Sequence, residues 1–169
     1  MPSTDRRHTG GVAFLLAQLG QHAADRFAGR IAALGLSPPQ AGILRAIAVE
    51  PGRSQQALSE QLGLLPSRVV AFVDDLEARG FVERRRNAVD RRVYALHLTD
   101  AGAALMAKIA DVGRGHEEEF TAGLTRAQRS TLAELLGILA ARQQLTPGVH
   151  PGYKSIGRGA TKDDSSSAG

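Results

Sequence analysis

The chain has 169 residues, 43% of them hydrophobic, which is enough apolar material for one packed domain and too much for a wholly disordered chain. It contains no cysteine, so disulfides, thiolate metal sites and a cysteine nucleophile are excluded, and its apolar runs fall far short of the roughly 18–20 residues that a membrane helix needs. The formal net charge is +4, and 18 of the 21 basic residues are arginine, whose planar fork suits phosphate and guanine.

Residues 1–10 are polar and show no period. No charged-then-apolar leader is read there, so a cytoplasmic protein is expected. From Val12 the apolar residues recur at Leu15, Leu16, Leu19, Ala23, Phe27, Ile31 and Leu34. Steps of three and four predict a long helix over 11–34, stopped by Gly35. Ser37, with Pro38 in the first helical position, opens a second helix that buries Ala41, Leu44, Ile47 and Ala48 and ends before Pro51-Gly52. Ser54 opens a short third helix over 54–62, with Leu58 and Leu62 inward and Gly63 as its breaker. Pro66-Ser67 start a fourth, with Val69, Phe72, Val73 and Leu76 inward and Gly80 at its end. A short helix, a glycine-bearing turn and a second helix is the pattern of a helix-turn-helix.

Phe81-Val82-Glu83-Arg84 reads as a short strand, and Val93 to Leu98 alternates as a second one around an arginine-rich loop. A hairpin directly after a helix-turn-helix is a wing, with the basic loop at its tip. Thr99 caps a fifth helix over 100–120, with Ala101, Leu105, Ile109, Val112, His116 and Phe120 on one stripe. Thr125 caps a sixth over 126–145, with Leu132, Leu135, Leu136 and Leu139 inward. Residues 147–169 are rich in glycine, serine and proline and read as a flexible tail. The fold class is therefore mainly α with a small β-hairpin (α+β). A winged helix-turn-helix domain spans 36–99. The long helices at 11–34 and 100–145, which the reading module does not need, are expected to form a helical dimerisation region.

Function follows from where the arginines sit. Residues 84–92 hold five arginines and one aspartate, +4 in nine residues, so the other 160 balance to zero. Such a local field attracts a polyanion. In the fourth helix, Ser67, Arg68, Val70 and Ala71 lie outside the buried stripe, near the end that a recognition helix presents to base edges in the major groove. Arg68 fits a bidentate pair with guanine, and Val70 or Ala71 a thymine methyl; the plainer reading of Arg68 is a surface pair with Asp74 or Asp75. Ser54 and Gln55, opening the third helix, suit phosphate contacts, and Ser54 also suits simple capping. Arg84, Arg85, Arg86, Asp90, Arg91 and Arg92 are the wing candidates, with Asp90 placed to orient Arg92 for a narrow minor groove and Arg84 equally suited to a structural role at the strand base.

No catalytic residue is identified: there is no Ser/His/Asp spacing, phosphate-cradling glycine loop or paired carboxylate. His116 and Glu119 stand one turn apart, compatible with a metal, but with no cysteine and no second ligand pair they read as an interface histidine and a solvated face. No metal and no cofactor is expected. His22, one residue before Ala23 on the first helix, is the single candidate for lining a ligand pocket.

Gly80-Phe81-Val82-Glu83-Arg84, Asp90-Arg91-Arg92 and Leu98-Thr99-Asp100-Ala101-Gly102, with Ser67-Arg68-Val69 and Leu76-Glu77 upstream, resemble the recognition helix and wing of the multiple antibiotic resistance regulator (MarR) family. The resemblance covers about residues 11–145. It implies a homodimer on a pseudo-palindromic double-stranded DNA operator, built through the first, fifth and sixth helices. It also implies repression, release by a small aromatic or phenolic effector bound between the dimerisation and DNA modules, and Asp90 and Arg92 as the wing-tip pair. It departs at Val70 and Ala71, where relatives often carry a polar or basic residue. The alternative is a winged-helix module for protein contacts without specific DNA binding, which a duplex-binding assay at two salt concentrations separates.

Overall fold

The computed structural model describes residues 10–86 and 94–150. Asp90, Arg91 and Arg92 and the tail beyond residue 150 lie outside the described residues. The elements in chain order are α1 (Val12–Ala32), α2 (Pro38–Val49), α3 (Gln55–Leu62), α4 (Pro66–Ala78), β1 (Val82–Arg86), β2 (Tyr94–Leu98), α5 (Asp100–Phe120) and α6 (Arg126–Arg142). The strands pair antiparallel, from Val82 opposite Leu98 to Arg86 opposite Tyr94. Arg85 and Arg86 therefore extend the strand that was expected to end at Arg84, rather than lying in the loop, and the three arginines alternate between its faces.

Local chemistry sets the helix ends. The Ser37 N–H donates to Gln40 Oε1 at 2.9 Å, and Pro38 occupies the position where a missing N–H costs nothing. Ser54 Oγ accepts from the Ala57 N–H at 3.2 Å. Gly63 takes a left-handed conformation (φ 63°) that ends α3, and the Ser59 hydroxyl then donates to the Leu64 carbonyl at 2.7 Å to hold the turn. α6 stops at Arg142, short of the expected 145, and Gln144 has a positive φ of 54°.

One core joins the helix-turn-helix and its hairpin to the start of α5. Ile43, Leu44 and Ile47 of α2, Leu58 of α3, Val69, Val73 and Leu76 of α4, and Val82 and Leu96 of the hairpin are all buried, with Leu105 and Ile109 of α5 closing one side. The α2–α3 loop adds to the hairpin's edge: the Gly52 N–H donates to Leu96 O and the Leu96 N–H to Arg53 O, both at 2.9 Å. Ala48, expected in the α2 face, is exposed. It stands at the rim of the core, beside a cleft.

The Thr99–Gly102 segment fixes α5 to the base of the wing. Thr99 Oγ1 donates to the Gly80 carbonyl at 2.6 Å and accepts from the Gly102 N–H at 3.0 Å, while the Thr99 N–H donates to the Phe81 carbonyl at 3.1 Å. A Cβ on Gly102 would lie 1.9 Å from the Phe81 carbonyl oxygen. Gly102→Ala is therefore expected to cost about 1–3 kcal/mol, as overpacking against fixed backbone does. The urea midpoint reads this directly, and an unchanged midpoint contradicts the packing.

The outer helices differ from the sequence expectation. Leu132, Leu135, Leu136 and Leu139 were expected inward, yet in the single protomer no residue of α6 is buried. In α1 only Ile31 is buried, and Val12, Leu16 and Leu19 are exposed. Periodicity identifies an apolar face; it does not say whether the same chain covers it.

Candidate nucleic-acid interface and a neighbouring cleft

At the start of α4, Leu65 occupies the cap position without a capping side chain and Pro66 follows. Val69, Val73 and Leu76 anchor the helix in the core, which turns Ser67, Val70 and Ala71 outward; Val70 is 42% exposed, high for a branched aliphatic side chain. Arg68, partly exposed, has no hydrogen bond or ion pair among the described residues. The surface pair weighed for it does not form, because its two acids are engaged elsewhere. Asp74 pairs with Arg84, and Asp75 accepts from Arg79 at 3.2 Å and from Gln40 at 2.8 Å.

Of the two roles left open for Arg84, its contacts match the structural one at the strand base. Its guanidinium bridges Asp74 and Glu77 of α4, Glu77 also accepts its backbone N–H at 3.1 Å, and the side chain is only 18% exposed. Burial works against its charge, but the hydrogen bonds and charges of Asp74 and Glu77 outweigh that and hold its pKa above the ordinary arginine value. Arg84 thus ties the strand base to α4. The spacing from Glu77 to Arg84 carried no signal for this, because the pair forms only once the chain has turned at Gly80. Arg85 pairs with Glu83 at the surface, and Arg86 is exposed beside Tyr94. At the start of α3, Ser54 caps the helix as expected, while Gln55 keeps a buried Nε2 without a partner among the described residues. Arg53, not singled out from sequence, ties the preceding loop to α3 through Gln61 at 2.8 Å and also pairs with Glu50.

Between α2, β2 and α5 lies an open cleft of about 570 Å³. Ile47, Ala48, Leu98, Met106 and the alanines of α5 line it, and Arg85 and His97 supply its polar groups. Sequence periodicity did not reveal it, since a cleft is made where three elements fail to meet.

A second, smaller pocket of about 250 Å³ lies between α1 and α5, lined by Leu19, His22, Arg26, His116, Glu119 and Phe120. Glu119 stays half exposed, as a solvated face requires, yet it pairs with both Arg26 and Arg30 of α1 and so also acts as an interhelix clamp. The His116 ring lies 5.7 Å from both Phe27 and Phe120, and His22 stands 6.1 Å from Phe120. Among the described residues no three histidine, aspartate or glutamate side chains gather as a metal site. Burial, then the charges of Arg30 and Arg26, lower the His116 pKa against the opposing pull of Glu117 and Glu119. Hydrogen bonding from Arg30 is the largest cause that lowers the Glu119 pKa.

Both shifts have one sign for stability. The unfolded chain takes up protons first as pH falls, so stability is lost below the ordinary histidine range through His116, and again as Glu119 is protonated. His116→Phe is expected to flatten the first loss while leaving the second. Melting temperatures from pH 8 to pH 4 measure this, and an unaltered profile between pH 7 and 5 contradicts the role of His116.

The sequence model of the MarR family matches residues 34–93, from just after α1 through the hairpin loop. A protein of Thauera aromatica assigned as the transcriptional regulatory protein for the hcr operon is 38% identical over 113 residues, which span 67% of this chain and 68% of that protein. The chain belongs to the MarR family. Another relative, the transcriptional regulator HosA of Escherichia coli O157:H7, is 31% identical over 101 residues, 60% of this chain and 75% of HosA. Among solved structures, that of the transcriptional repressor CouR, bound to a 23-mer DNA duplex, superposes with a TM-score of 0.68 at 32% identity, covering 77% of this chain and 92% of CouR. MarR family membership makes this chain a transcriptional regulator and not an enzyme. Among the described residues, no helix is long and apolar enough to cross a membrane.

Proposed function

We propose that the chain represses transcription in the cytoplasm as a homodimer on a pseudo-palindromic operator and is released by a small aromatic or phenolic effector. The observation that carries the reading is the outward face of α4: Ser67, Val70 and Ala71 are exposed and Arg68 is unpaired among the described residues, on a helix otherwise locked into the core. Val70 and Ala71 reach thymine methyls, Arg68 reaches guanine, and Ser54 with Gln55 at the start of α3 lies against phosphate. Arg86, with Arg91 and Arg92 beyond it, supplies the wing's charge, while Arg84 sets the wing's angle to α4. One reader spans a few base pairs, so specificity calls for two copies, and the bare leucine face of α6 offers the surface to join them. The cleft between α2, β2 and α5 is the effector site, since a ligand seated there bears on both the reading module and α5.

Arg91→Ala with Arg92→Ala tests DNA contact by the wing. Affinity for every duplex is expected to fall, and the slope of log K against log salt to drop by about 1–2 per protomer, because each lost phosphate contact releases about one counterion fewer. Fluorescence anisotropy at four salt concentrations gives the slope. An unchanged slope removes the wing from the interface and favours the protein-docking alternative.

A further inference from the structure

The N-cap of α4 is a leucine. At that position a serine, threonine, aspartate or asparagine accepts a hydrogen bond from the first helical turn, and a leucine forgoes it. Ser37, Ser54, Thr99 and Thr125 hold the corresponding place in α2, α3, α5 and α6. Leu65 makes no cap bond, although its φ of −64° and ψ of 139° are the extended geometry in which a hydroxyl caps. Packing does not account for the leucine either. A helix entry is stapled by the residue before the N-cap and the fourth helical residue, and here those are Leu64 and Val69, both buried. Leu65 itself is 60% exposed. With exposed Pro66, Val70 and Ala71 it gives the first turns of α4 an apolar tip, on the end that a recognition helix presents to base edges.

We infer that Leu65 is a specificity-determining residue of the DNA interface, seated on a thymine methyl in the major groove next to the base pair that Arg68 reads. A leucine side chain has no donor or acceptor. Among the groups that base pairs show in the major groove, only the thymine methyl matches it. Arg68 is its neighbour: the Arg68 N–H donates to the Leu65 carbonyl at 3.0 Å. Covering the exposed part of a leucine raises affinity roughly tenfold at each half-site. The cap that α4 forgoes lowers only the stability of the protein. This role rests on α4 being the recognition helix, and it adds an apolar reader at the helix end to the charged one.

Full-length Leu65→Ser protein separates the two effects, because they have opposite signs. Restoring the cap is expected to raise the melting temperature by about 2–4 °C. Affinity for the operator is expected to fall about tenfold. Operators in which each thymine in turn is replaced by deoxyuridine, which removes the methyl alone, locate the contact. Wild-type protein is expected to lose about fourfold at one thymine per half-site, the worth of one buried methyl group. Leu65→Ser protein is expected to lose nothing there, whereas Val70→Ala protein keeps that loss. Unchanged affinity of the serine variant overturns the inference. So does a loss of affinity that leaves its response to every deoxyuridine as in wild type, and so does a lower melting temperature, since the leucine is then held for packing. Failure of the recognition reading is distinguishable: Arg68→Ala then also leaves every base preference unchanged. Relaxed preference in Arg68→Ala beside an indifferent Leu65→Ser removes Leu65 alone.

Discussion

Full-length protein carrying Leu135→Asp and Leu139→Asp is expected to be a folded monomer with operator affinity reduced at least about a hundredfold. Leu135 is 55% and Leu139 41% exposed in the protomer, and α6 contributes no buried residue to the core, so the protomer loses nothing by the change. The proposed dimer loses a great deal. A fully buried leucine is worth about 1.5–3 kcal/mol relative to an exposed one, and roughly half of that is still to be gained on each of these side chains. An ionised carboxylate placed in the same contact adds several kcal/mol of desolvation. Twofold symmetry repeats each effect. Val12, Leu16 and Leu19 of α1 are exposed as well and extend the apolar surface available to the proposed partner. With the interface gone, each reader meets one half-site alone. Sedimentation velocity at micromolar concentration with circular dichroism on the same sample decides it. A stable dimer from this variant contradicts an α6 interface, and an unfolded chain contradicts the peripheral place of α6 in the protomer.

The helices of the reading module were legible because each combined a capping residue, an apolar stripe at three and four, and a glycine or proline stop. The fifth helix was expected over 100–120 and spans Asp100–Phe120. What stayed hidden depends on residues brought together by the fold. Arg84 was read as equally suited to the wing or to a structural role at the strand base, and only the paired strand turns it toward α4, where Asp74 and Glu77 claim it. Glu119 looked like one of three solvated glutamates, and only the approach of α1 gives it Arg26 and Arg30. Gly102 carried a family pattern whose reason is a backbone contact with Phe81, invisible in the chain. The leucines of α6 were correctly seen as an apolar face, but no described residue of the protomer buries them. The outward face of α4 follows the opposite logic: Ser67, Arg68, Val70 and Ala71 were legible as what its core stripe leaves over.

The charged residue of that face is Arg68. It stands at the third position of α4, off the Val69, Val73 and Leu76 face, and the acids that would have neutralised it are held by Arg84, Arg79 and Gln40. Arg68→Ala is expected to cost about 1–3 kcal/mol on the operator, the size of one good bidentate base contact. Folding is expected to be unaffected, since the side chain fills no core space. The loss is expected to be concentrated at one G·C pair in each half-site, where the preference of the variant relaxes. Arg92→Ala is expected to behave differently, lowering affinity at the A·T-rich flanks with little change at major-groove positions. The decisive measurement is the affinity of wild-type and Arg68→Ala protein for every single-base variant of the operator at one salt concentration. Relaxed preference at one symmetric pair of positions, with the other positions unchanged, is the predicted result. A uniform loss across all variants would make Arg68 a phosphate contact and contradict readout of sequence through this face of α4.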